Sequence, residues 1–281
     1  MKKLRANTAK PVVLTAVYPN VGVQVWYEQQ LTARINAAAA ALTTDLAAAW
    51  AKTPPLLHSA HITTGYGLAA DASSPTKALQ AALAKWGAQT IKAFDLMSAK
   101  IADDFAKRNA QATQASVMAQ LKRAGFTVKF TPTRKSVEAL RLVTAENVAL
   151  IKSIPRKYLE QVEQRVYNAV RTGSDLAKLS TELRKAHKIT VDRAALIARD
   201  QNAKAKATIE RVRQQELGIT RGIWQHSAAG KEPRPTHVAM NGKAYDLARG
   251  MWDSDEGEWV HPGQLINCKC TMRPVIEGFI E

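Results

Sequence analysis

Gly218-Ile-Thr-Arg-Gly-Ile-Trp-Gln-His226 is where this chain changes character. Upstream of Gly218 the sequence is rich in alanine, and its apolar residues recur at three- and four-residue steps, the spacing of helices that bury one face. Over 219–226 apolar and polar residues alternate around Trp224, which is the two-residue period of a strand. Residues 268–276 alternate again and read as a second strand. Between the two, residues 227–267 collect Gly and Pro and read as loops, with one short helical turn near residues 235–240. The expected fold class is α+β: mostly helical, with long N-terminal helices, then a small C-terminal α+β module with short antiparallel strands.

Working upstream, residues 1–20 read as a loose arm. Trp26, Leu31, Ile35, Leu42, Leu46 and Trp50 mark one long helix over 21–52, stopped by Thr53-Pro54-Pro55. After a loop, Leu79, Leu83, Trp86, Ile91, Phe94, Met97, Ile101 and Phe105 mark a second over 76–124, with Gly125 as terminator. A short extended piece covers 126–131. Ser136 is suited to cap a helix reaching residue 142, and Thr144 to cap the next, which Pro155 should kink or break and Gly173 should end. A shorter helix is expected over 175–188, and Thr190 is placed to cap a basic helix over 191–217. The division that follows is an N-terminal helical region, 1–130, and a second domain, 131–281, with helices over 136–217 and a His/Cys-containing α+β end over 219–281.

The chain has 281 residues and a net charge of +16. Residues 1–130 carry +9, residues 131–218 carry +8, and residues 219–281 carry −1. The helical part is therefore basic and the end is not, which implies a polyanionic neighbour for the helices. On the helix over 191–217, Arg193, Arg199, Lys204, Lys206, Arg211 and Arg213 alternate with acids. They form either a solvated face laced with ion pairs or a surface for backbone phosphates, sequence-independent and salt-sensitive. No base-reading motif and no phosphate-binding Gly-rich loop is present. Neither a signal peptide nor a membrane span is expected.

The two cysteines, Cys268 and Cys270, are two residues apart. A disulfide between them would close a very small, strained ring, so free or metal-bound thiols in a reducing compartment fit better. On a strand the two side chains share a face. With His237 and His261 folded back they make a Cys2His2 set suited to a structural zinc. The bland alternative is two buried small hydrophobes and two loop-capping histidines. A third is a metal-dependent hydrolase, nuclease or peptidase, using the same cluster, although no oxyanion hole or orienting third group is legible. Asp253, Asp255, Glu256 and Glu258 read as a solvated acidic turn.

Taken in order, Arg193-Ala-Ala-Leu-Ile-Ala-Arg-Asp-Gln201, Trp224, Arg234-Pro-Thr-His237, Asn241-Gly242, His261-Pro-Gly263 and Asn267-Cys-Lys-Cys270 resemble the phage Mu F-like minor head protein family, or phage head morphogenesis domain, over about residues 160–281. Lys269 stands where that family usually has Arg. The resemblance implies structural roles for Trp224, Arg234, Gly242, Pro262, Gly263 and Asn267, and no enzymatic activity. It further implies a virion protein of a tailed phage or prophage, made in the bacterial host cytoplasm and placed inside the capsid near the portal. Its partners would be the portal protein, capsid or scaffold protein, and double-stranded DNA bound non-specifically. Its work would be head assembly and DNA packaging or ejection.

Overall fold

The computed structural model describes residues 10–52, 75–172, 174–228 and 232–277. Gly173, read as a helix terminator, and the Pro-rich loop after residue 52 lie outside them. In chain order the elements are β1 (Val12–Val13), α1 (Val21–Lys52), α2 (Pro75–Arg123), α3 (Arg134–Arg171), α4 (Leu176–Glu216), β2 (Arg221–Gln225), α5 (Pro235–Met240), β3 (Ala244–Asp246), β4 (Met251–Asp253), β5 (Glu258–Val260) and β6 (Thr271–Ile276). This is the α+β arrangement expected from the sequence. No helix among the described residues is long and apolar enough to cross a membrane.

Three expected breaks are absent. α3 runs unbroken through Thr144 and Pro155. Its buried residues, Ala139, Val143, Asn147, Ile151, Ile154, Tyr158, Val162, Val166 and Ala169, keep three- and four-residue steps throughout. Packing along that whole stripe outweighs the hydrogen bond that Pro155 forfeits. α4 likewise runs through Thr190. Rather than capping a new helix, the buried Thr190 hydroxyl donates to the Ala186 carbonyl at 2.9 Å. Ser136 does not cap α3 either. The Thr133 hydroxyl accepts from the Ser136 N–H at 3.1 Å and the Ser136 hydroxyl from the Thr133 N–H at 2.9 Å, a reciprocal box that puts the cap at Thr133.

The chain forms two compact units, each assembled from separate stretches. One comprises Met1–Tyr27, Ala102–Asn147 and Ile197–Glu281; the other comprises Glu28–Ile101 and Val148–Leu196. Both draw on residues from either side of position 130. Among the described residues the elements of the second unit are helices, with a core of Leu42, Leu46, Leu79, Leu83, Trp86, Tyr158, Val162 and their neighbours. The Trp86 indole N–H is satisfied by the Ala38 carbonyl at 2.8 Å.

The first unit contains the sheet. Its order is β1-β6-β2-β3, all antiparallel, and β4 and β5 form a separate hairpin. The expected strands at 219–226 and 268–276 are present in shortened form as β2 and β6, paired with Trp224 opposite Met272. β1, β3, β4 and β5 lie in stretches read as arm or loop. β1 exists only because Val12 and Val13 meet Ile276 and Val275 from the far end of the chain. One face of the sheet is apolar: Trp224, Tyr245, Leu247, Met272 and Ile276 share a core with Leu14, Val17, Val117 and Leu121.

A buried polar network crosses this unit. The Tyr27 hydroxyl donates to Asn147 Oδ1 at 2.9 Å, and Asn147 Nδ2 donates to the Val143 carbonyl and to Gln201 Oε1. Gln201 Nε2 in turn donates to Glu146. Replacing Asn147 by Ala strands the Tyr27 hydroxyl and Gln201 in an apolar setting, at about 1–3 kcal/mol for each unsatisfied group. Chemical denaturation should show Asn147→Ala destabilised by about 2–4 kcal/mol, with Tyr27→Phe recovering part of the loss in the double variant. Strictly additive effects would show that the network is not coupled.

Candidate metal centre

His237 is delivered by α5, a six-residue helix with Pro235 in its first turn and Arg234 at its N-cap. Arg234 ties the start of this helix to its surroundings, donating to the Ile266 carbonyl at 3.2 Å and lying 3.6 Å from Glu256. The His237 ring is buried edge-on against Trp224, with centroids 5.0 Å apart. Cys268 and Cys270 come from the segment leading into β6 and point inward, while Lys269 between them is exposed. The side-chain donors of His237, Cys268 and Cys270 all lie within 4.8 Å of one another. Nδ1 of His237 is 3.4 Å from Cys268 Sγ and 3.7 Å from Cys270 Sγ. The cysteines are free thiols.

The other ring nitrogen, Nε2, faces Asp253 Oδ2 at 3.2 Å. Asp253 is fully buried at the end of β4, and its second oxygen accepts the Asp255 N–H at 3.0 Å. In the tautomer with the proton on Nε2, that nitrogen would face the carboxylate as a donor and Nδ1 would turn its lone pair towards the sulfurs. The Cys270 thiol donates to Cys268. This lowers the Cys268 pKa towards the thiolate and raises that of Cys270, which burial raises further. The Gly263 N–H also donates to Cys268 Sγ at 3.4 Å.

The Cys-x-Cys segment is anchored to α4 from the residue before it. Asn267, at φ 60°, is the one non-glycine residue with positive φ among the described residues. Asparagine tolerates that left-handed conformation better than most residues. Its N–H donates to Asp200 Oδ1 at 2.8 Å, and its side-chain oxygen accepts from Arg199 at 3.3 Å. Gly263, at φ 83°, passes so close to α4 that a Cβ there would lie 3.1 Å from the Ala207 methyl. Gly242 turns at φ 77° while its N–H pairs with the Trp224 carbonyl at 2.8 Å. Pro262 is buried.

The sequence-derived Cys2His2 set is thus only partly assembled: His261 is not in the group with the two cysteines. Its ring packs beside Tyr245, with centroids 6.3 Å apart, and among Glu210, Arg211 and Pro262. Burial, helped by the Arg211 charge, lowers its pKa to about 4. In its place the structure brings Asp253 to His237. The sequence groups Asp253 with a solvated acidic turn, but the hairpin pairs Met251 with Val260 and Asp253 with Glu258, so it shares the inward side with Met251. The alternation in Met-Trp-Asp was the available signal.

The basic residues of α4 are also not the surface expected of them. Lys206 is buried against Glu210 at 2.7 Å, and Arg213 is buried between Glu216, the Thr131 carbonyl and Gln114. Lys204 is paired with Asp200 and Glu146, and Arg193 donates to Ser153. Arg211 is half-buried, and of the six only Arg199 is exposed.

Residues 160–273, which include every residue of this site, match the family described as Phage Mu protein F like protein. An uncharacterized protein of Haemophilus influenzae is 34% identical over 141 residues, which is 50% of this chain and 30% of that protein. The chain therefore aligns with under a third of that relative's length. No solved structure matches the chain.

The low His261 pKa has a pH signature. Between its ordinary value of 6.5 and about 4, the unfolded chain binds a proton that the folded chain refuses. The stability that neutral His261 contributes above pH 6.5 is lost as the pH falls towards 4. Denaturant midpoints should fall through that window, and by less in His261→Phe. Identical pH profiles for the two proteins would contradict this.

Proposed function

Because residues 160–273 match the Phage Mu protein F-like family, we propose that this chain is a minor head protein of a tailed phage or prophage, acting inside the head near the portal in head assembly and in DNA packaging or ejection. The family match carries the reading. The local structure supports it: Arg199, Asp200, Trp224, Arg234, Gly242, Gly263 and Asn267 all act on one folded module, each through a contact that positions a loop. His237, Cys268 and Cys270 are buried, which suits a structural clasp better than the alternative of a hydrolytic site.

A DNA-facing role needs exposed cations, and the best of them lie away from the inner face of α4. Lys122, Arg123, Lys129, Arg134 and Lys135, at the end of α2, in the following segment and at the start of α3, are all exposed, and no acid occurs between them in sequence. Five positive charges within fourteen residues suit a run of backbone phosphates.

Two measurements test this. Mass spectrometry of purified particles from the induced prophage or phage should find this chain at low copy number; its absence from heads sinks the proposal. The purified chain should retain duplex DNA without sequence preference. Changing Lys122, Arg123, Lys129, Arg134 and Lys135 to Gln should flatten the log-affinity against log-salt slope by about 0.9 per lost phosphate contact. Changing Arg199 alone should alter it little. Salt-indifferent binding would remove the DNA half of the reading.

A further inference from the structure

The geometry points to a single metal ion, of the zinc class, held by Nδ1 of His237 and the thiolates of Cys268 and Cys270, with Asp253 as the carboxylate that orients the imidazole. Two donors bound tetrahedrally to zinc, one nitrogen at 2.0–2.1 Å and one sulfur at 2.3 Å, lie about 3.6 Å from each other. The two nitrogen–sulfur distances here, 3.4 and 3.7 Å, bracket that value. The donors are thus already at ligand spacing.

Hydrogen bonding among the same groups accounts for them less well. Nδ1 offers one in-plane lone pair, yet two sulfurs approach it. A cation replaces both thiol protons and satisfies all three donors together. Nε2 lying 3.2 Å from a fully buried carboxylate is the outer-shell placement that orients histidine metal ligands. The Gly263 N–H at 3.4 Å from Cys268 Sγ supports a thiolate in the same way. Three protein donors leave the fourth tetrahedral position to water or a further ligand. Two thiolates and an imidazole make a soft donor set, which favours zinc over magnesium or calcium. His261 is excluded from the set, and Asp253 acts through His237 as a positioning residue.

The test uses the full, reduced chain. Purified with zinc and desalted, it should carry about one equivalent, removable by a strong chelator. Cobalt(II) loaded in place of zinc should give thiolate-to-cobalt charge-transfer absorption together with the intense visible bands of a tetrahedral site. Cys268→Ser and Cys270→Ser should each lose that charge-transfer intensity, whereas His261→Gln should keep both metal and spectrum. Asp253→Asn should keep the stoichiometry and weaken zinc affinity about 10- to 100-fold. Should the cysteine variants fail to fold, the wild-type cobalt spectrum and the protection of both thiols from alkylation until chelation still decide the matter. Less than about a tenth of an equivalent after loading, a cobalt spectrum without thiolate bands, or metal lost in His261→Gln overturns the proposal. None of these readouts depends on the virion role.

Discussion

The imidazole of His237 is the point on which the C-terminal module turns. Three stretches with little regular structure of their own converge on its two nitrogens: α5 carries the ring, β4 brings Asp253, and the approach to β6 brings Cys268 and Cys270. Each group is buried, and a buried polar group is costly unless paired. The cost is avoided only when all of them are present in the correct loop arrangement. That requirement specifies one arrangement of the module, where strands of three residues and a six-residue helix would specify it weakly. The anchor from Asn267 to Asp200 and Arg199 then holds the same loops against α4.

Much of the helical part was legible because amphipathic period is a local property. α1 occupies 21–52 as read, and α5 occupies 235–240. The errors share a physical cause. Thr144, Pro155 and Thr190 carry local signals for a boundary, but a continuous apolar stripe outvoted them, since tertiary packing supplies most of a helix's stability in a folded chain. The converse error occurred at β1, where a two-residue strand has no period to read and depends on partners more than 260 positions away. The candidate site was half legible. Cys268, Cys270 and His237 were grouped from residue type, but type alone could not separate His261 from His237, nor lift Asp253 out of its acidic neighbours.

Charge reading was the least transferable. The buried cations of α4, Lys206 and Arg213, each have an acid one turn along the same helix. Lys206 and Glu210 are the clearest pair: burial pushes the Glu210 carboxyl up while the ammonium beside it pulls it back. Such a pair is weak evidence for stability, since taking both charges out of water offsets their attraction. Exposed cations instead sit where helices end and begin, at Lys122, Arg123, Arg134 and Lys135.

The sheet order bears on how the chain comes to be folded. Among the described residues, β6 is the last strand in sequence and lies between β1, the first, and β2. Until residues 271–276 have left the ribosome, β1 has no partner and β2 is bonded along one edge only. The long helices can form as they emerge, but this sheet closes only when β6 meets β1 from more than 260 positions away, and such non-local pairing is slow. During that interval two strand edges stand open to whatever other chain offers a match, so neighbouring copies made at the same time compete with β6 for its place.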